Sequence, residues 1–91
     1  MTASVTDNRD RGRFELAKGE HVAFATYRRG DGVLAIMHVE APVPLRGTGA
    51  AGELMRGVAE IARAEGLKVA PLCGYAAAWL RRHKEHHDLL A

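Results

Sequence analysis

The chain has 91 residues, 47% hydrophobic but only 5% aromatic, with a formal net charge of +2 and a pI near 9.0, which suits one domain with a modest, mostly aliphatic core. Its single cysteine excludes an internal disulfide and fits a reducing, cytoplasmic setting. No apolar run approaches a membrane span, and the opening MTASVTDNRDRG lacks the apolar stretch of a signal peptide.

Residues 1–12 are polar and aperiodic and read as a disordered lead-in, leaving 13–91 as the folded domain. From Arg13, short alternating runs predict strands. In Arg13–Lys18, Phe14, Leu16 and Lys18 alternate with Arg13, Glu15 and Ala17. After a turn at Lys18-Gly19-Glu20, His21–Arg28 sets Val22, Phe24 and Thr26 against Ala23, Ala25 and Tyr27. Arg29-Gly30-Asp31-Gly32 is a second turn, and Val33–Glu40 is a third strand, apolar on both faces in its first half as a central strand should be. Pro42 and Pro44 stop it.

From about Gly49 to Glu65 the period becomes helical, with Ala51, Leu54, Met55, Val58, Ile61 and Ala62 near one stripe and Gly66 as the stop. Gly57, inside that helix, marks close packing on the sheet. Leu67–Leu72 is a short apolar strand. Residues 75–87 predict a second helix with Ala76, Trp79, Leu80 and His83 along one side. The order β-β-β-α-β-α predicts an α+β fold. Its mixed sheet has antiparallel strands joined by tight turns, then a right-handed parallel β-α-β unit, then a C-terminal helix.

Between the third strand and the first helix lies LRGTGAAG, residues 45–52. It spells two diphosphate-binding patterns: G-x-G-x-x-G of dinucleotide folds and R-x-x-G-x-A of acyl-CoA-dependent transferases. The dinucleotide pattern needs a strand immediately before the loop, an acid about twenty residues beyond it and several β-α repeats. Here two prolines intervene, no acid stands between Glu65 and Glu85, and there is room for one repeat. No Gly-Lys-Ser/Thr follows, which excludes a Walker-type loop. What remains is a glycine-rich helix start whose backbone N–H groups and dipole can hold an anion.

The run HVEAPVPLRGTGAAGELMRGVAEIARAEGLKVAPLC, residues 38–73, resembles the small single-domain members of the GNAT acetyltransferase superfamily, the YjdJ-like group. Those carry H-T-E-V-P, then L-R-G-x-G-[VI]-A, a helix, and G-L-K-V-x-P-x-C. The likeness continues through Tyr75, Trp79 and RRHKEHHDLL and covers about residues 13–90. Three positions depart from it: Val39 stands for Thr, Ala41 for Val, and Gly74 follows Cys73 where many members have Pro.

The resemblance implies a GNAT-like core and an N-acetyltransferase that uses acetyl-CoA as co-substrate and an amine as acceptor. It implies that Arg46, Gly47, Thr48, Gly49, Ala50 and Ala51 hold the pyrophosphate. Val39 and Cys73 would line the CoA channel between Val33–Glu40 and Leu67–Leu72, which agrees with ligands sitting beyond the carboxyl ends of parallel strands. A non-catalytic acyl-CoA-binding module acting through a protein partner is the alternative. Basic residues are neither grouped into one long run nor interleaved with aromatics, so no nucleic-acid or membrane partner is expected. A monomer is the default, since no apolar interface is obvious.

Acetyl transfer needs a neutral amine, a polarised carbonyl and a proton for the leaving thiolate. His38 and Glu40, two apart on one strand, share a face near its carboxyl end, and either is a candidate base. Cys73, where a strand ends and a helix begins, is a candidate acyl acceptor. Its other reading is an inert buried cysteine. His83, His86 and His87 have helical metal-ligand spacing, but without another ligand cluster they read as an exposed basic helix end, and no metal is expected. Arg81, Arg82 and Lys84 read as a solvated face and Trp79 as core.

Overall fold

The computed structural model describes residues 5–91. Its strands are β1 (Val5–Asn8), β2 (Arg13–Lys18), β3 (His21–Gly30), β4 (Val33–Glu40) and β5 (Lys68–Pro71). Its helices are α1 (Ala50–Glu65) and α2 (Gly74–Arg82), and short 3-10 turns cover Val43–Leu45 and Lys84–Leu89. The sheet order is β1-β2-β3-β4-β5, antiparallel from β1 to β4 and parallel between β4 and β5.

The expectation of a disordered lead-in is corrected for residues 5–12, while residues 1–4 lie outside the described residues. β1 pairs with β2 from Val5↔Leu16 to Asn8↔Arg13. A polar tetrapeptide stays in the sheet because tertiary partners hold it. Asp7 accepts hydrogen bonds from the Tyr27 hydroxyl and the Arg29 guanidinium, and Arg29 also pairs with Glu65 at the end of α1. Phe14 stacks on Tyr27 with centroids 4.5 Å apart beneath this network.

All helical cover lies on one sheet face. Phe14, Leu16, Ala23, Ala25, Leu34, Ile36 and Val69 are buried there against Leu54, Met55, Val58 and Ala62 of α1 and Ala76, Trp79 and Leu80 of α2. Intervening strand residues such as Arg13, Glu15, Phe24, Thr26, His38 and Glu40 are half-buried or exposed. Of the predicted stripe of α1, Leu54, Met55, Val58 and Ala62 are buried and Ala51 and Ile61 half-buried, with Ala50 and Ala59 buried beside them, and Gly66 stops the helix in the left-handed region at φ 69°. The Leu67 N–H then bonds back to Ala62 O at 2.8 Å, closing the last turn.

α2 is shorter than the sequence suggested, ending at Arg82 rather than 87. His83 leaves helical geometry and its imidazole Nδ1 lies 2.7 Å from the Trp79 carbonyl, meeting the helix end with a side chain. The following 3-10 turn buries Leu89 in the core, and Ala91 N–H bonds Val69 O at the open edge of β5.

Candidate functional site

β4 carries a bulge. Thr26 pairs with His38 but Tyr27 pairs with Ile36, so Met37 is an extra residue. Simple alternation would put Ile36, His38 and Glu40 on one face. The bulge changes the parity: Leu34 and Ile36 face the core, while His38 and Glu40 turn to the uncovered face opposite Thr26 and Phe24. Val39, opposite the buried Ala25, packs against the core. The His38 Nε2 lies 3.0 Å from the Glu40 carboxylate, and both side chains are more than half exposed.

Parallel pairing ends early. β4 and β5 are in register only from Val33↔Lys68 to Ile36↔Pro71, with Leu72 N–H bonding Ile36 O at 2.9 Å as the last link. The strands therefore fork, and His38–Glu40 run on beside open space.

The two prolines do more than stop β4. The Leu45 N–H bonds Pro42 O at 2.8 Å and the Arg46 N–H bonds Val43 O at 3.1 Å, forming a 3-10 turn anchored by buried Leu45. Arg46 Nε donates to Ala41 O at 3.1 Å, tying the loop to the end of β4. Gly47 (φ 79°) and Gly49 (φ 86°) are left-handed, a conformation a Cβ disfavours. Thr48 locks the turn between them. Its hydroxyl donates to Leu45 O at 2.5 Å and accepts the Ala50 N–H at 3.3 Å.

Among the described residues, no protein group accepts from the N–H groups of Gly47, Gly49, Ala51 and Gly52; the first intrahelical bond is Glu53 N–H to Gly49 O. These free donors cluster at the positive end of α1. A Cβ built on Gly47 or Gly49 would meet no atom within 4 Å, so the space before the loop is open.

Two adjoining clefts meet there. One of about 240 Å³ is lined by Leu45, Arg46, Gly47, Gly49, Gly52 and Tyr75 among others. The other, of about 340 Å³, is lined by His38, Val39, Glu40, Arg46, Ala51 and Tyr75 with Ala41. Of the candidate residues, the structure thus gathers His38, Val39, Glu40, Arg46, Gly47, Gly49, Ala50 and Ala51. Thr48 shapes the loop from behind. Cys73 lines neither cleft; half-buried at the start of α2, its Sγ accepts the Ala76 N–H at 3.3 Å.

Tyr75, which lines both clefts, had no functional assignment from sequence. The available signal was its place just past the carboxyl end of a parallel strand. His83 and His86 both stack on Trp79, with ring centroids 3.8 and 5.7 Å from the indole, and His86 also sits 3.3 Å from Arg63 Nη2, while His87 lies 3.2 Å from Arg81 O.

A five-stranded mixed sheet with a forked parallel pair and a glycine cradle at the following helix defines the GNAT class of fold. Structural comparison agrees. The solution structure of a GCN5-like protein from Staphylococcus aureus superposes with a TM-score of 0.69 at 23% identity, covering 99% of this chain and 89% of that one. The model of the GCN5-related N-acetyl-transferase family matches residues 13–89, and the chain belongs to that family. No curated protein matches the sequence. Among the described residues, no helix is long and apolar enough to cross a membrane.

Proposed function

We propose that this N-acetyltransferase uses acetyl-CoA and transfers the acetyl group to an amine. The observation that carries the reading is the set of unpartnered N–H groups at Gly47, Gly49, Ala51 and Gly52, opening on a cleft that continues to His38 and Glu40. The diphosphate of CoA suits that cradle, with Arg46 at its rim. From there the pantetheine arm would follow the free edge of β4, past Val39, toward the fork.

Glu40, hydrogen-bonded to His38, is the proposed acceptor of the proton that an ammonium must lose before its nitrogen can attack. The new C–N bond forms as the thioester C–S bond breaks, and the departing thiolate takes a proton. That proton can come from the attacking nitrogen itself, which must shed one to become an amide; the Tyr75 hydroxyl, 3.9 Å from a Cβ built on Gly52, stands at the phosphate end of the cleft. Transfer is direct in a ternary complex, with Cys73 serving as the cap of α2. A monomer in the cytoplasm, consistent with a single unpaired cysteine, is the proposed setting.

The test is a thermal shift with CoA, acetyl-CoA and NAD, followed by an amine panel. A ligand at a hundred times its dissociation constant adds about 2.7 kcal/mol to apparent stability. Stabilisation by both CoA species but not by NAD is expected, with acetyl transfer to an amine. No response to either CoA species would refute the proposal. Binding without transfer to any amine would leave an acyl-CoA-binding module.

A further inference from the structure

Gly52 separates α1 from α2 at the cradle. A Cβ at this position would lie 3.6 Å from Trp79 Nε1 and 3.9 Å from the Tyr75 hydroxyl, so both polar atoms face the first turn of α1. Trp79 is only 3% exposed. Among the described residues its indole N–H has no protein acceptor, and its nitrogen is not fully enclosed, since the one enclosed side-chain polar atom without a partner is Arg29 Nε. Buried indoles ordinarily find an acceptor. A purely apolar demand at this position could be met by Leu or Phe, with no polar atom to satisfy.

The indole is also held in one orientation. The His83 ring stacks on it at 3.8 Å and 14°, and His83 is itself anchored to the Trp79 carbonyl. The unpartnered donor therefore sits fixed beside Gly52, whose own N–H is unpartnered and which lines the same cleft as Gly47 and Gly49.

We propose that the Trp79 indole N–H donates to the phosphate group held at the start of α1, so that α2 as well as α1 reads the anion. The inference deepens the CoA reading and rests on it. Trp79 is then a binding residue, the side-chain complement to a cradle otherwise made of backbone.

Trp79 is the sole tryptophan, so its indole proton gives one resonance. That resonance is followed in the wild-type chain as CoA, inorganic pyrophosphate and pantetheine are added in turn. CoA and pyrophosphate should move it downfield, as for a newly hydrogen-bonded proton, and pantetheine, which lacks phosphate, should not. In parallel, calorimetric titration compares CoA binding in the wild type and Trp79→Phe, which keeps an aromatic ring but loses the donor. A roughly tenfold weaker dissociation constant is expected, in the range of one hydrogen bond to a charged group.

If the wild type does not bind CoA, the functional proposal fails and this one with it. If it binds CoA with the indole proton unmoved by CoA and by pyrophosphate, or with Trp79→Phe binding equally well, only the role of Trp79 is overturned. Should Trp79→Phe not fold, the wild-type resonance decides alone.

Discussion

Gly57 of α1 and Val5 of β1 are in direct apposition: a Cβ on Gly57 would lie 2.7 Å from the Val5 Cβ and closer still to one of its methyls. The helix interior tolerates this glycine because β1 occupies the space a side chain would need. Gly57→Ala would gain about 1 kcal/mol of helix propensity. Overpacking at the same position costs about 1–3 kcal/mol. Net destabilisation is expected in urea unfolding. The double variant Val5→Ala/Gly57→Ala should recover part of it, giving a coupling energy well above the roughly 0.5 kcal/mol of independent sites. Simple additivity would mean that β1 does not hold this position in solution.

Acid should weaken the uncovered sheet face. The Arg13 guanidinium, 2.6 Å from the Glu15 carboxylate, holds that carboxyl below its ordinary value of 4.5, and Asn8 adds a further hydrogen bond. Between the folded and unfolded pKa values the unfolded chain binds more protons, so stability rises with pH there. The contribution is fully present above pH 4.5 and is lost as pH falls through the lowered folded value. Asp88, lowered by its hydrogen bond from Arg63, acts in the same direction at the far end of α1. Glu15→Gln should flatten the acid limb of a plot of melting temperature against pH. An unchanged limb would show that the Arg13 pair does not persist in solution.

The strands from Arg13 to Glu40 and the stripe of α1 were legible because one-sided burial imposes periods of 2 and 3.6 on their residues. The GNAT-like core was legible from separated motifs in order. β1 was not legible, since its place depends on Gly57, Tyr27 and Arg29, all distant in sequence. The early end of α2 was hidden because His83 fits a helical stripe as well as it fits a cap.

The site was legible in part. LRGTGAAG announced a glycine-rich helix start able to hold an anion, but not that Gly47 and Gly49 are left-handed. The bulge at Met37 left no mark, because a one-residue insertion in a strand changes which face its neighbours occupy without changing composition. Tyr75 and Trp79 join the loop only through α2, which packs against α1 across a gap that Gly52 provides.

Gly52 tests that gap. An alanine methyl would meet Trp79 Nε1 and the Tyr75 hydroxyl at ordinary contact distances, so Gly52→Ala should fold. Replacing a helical glycine should raise stability by about 0.5–1 kcal/mol, a few degrees in melting temperature. The same methyl fills space at the floor of the cleft. CoA binding should weaken by roughly tenfold, or about 1.4 kcal/mol. A variant that is more stable yet binds CoA as well as the wild type would place the ligand away from Gly52.

Cys73 distinguishes direct transfer from a covalent relay. Its Sγ accepts the Ala76 N–H, which serves the helix, and it lines neither cleft. Serine can accept the same N–H, so Cys73→Ser should match wild-type stability, while Cys73→Ala should lose about 0.5–1 kcal/mol as a weak cap is removed. With direct transfer, kcat/KM for acetyl transfer should stay within roughly threefold of wild type in Cys73→Ser, and no acetylated protein should appear by intact mass in a burst without acceptor amine. A relay through sulfur would instead lower kcat by orders of magnitude, since the serine hydroxyl is a far weaker nucleophile than a thiolate, and would leave an acetyl adduct on the wild-type chain. The two outcomes separate because the cap needs only an acceptor atom, whereas the relay needs the chemistry of sulfur.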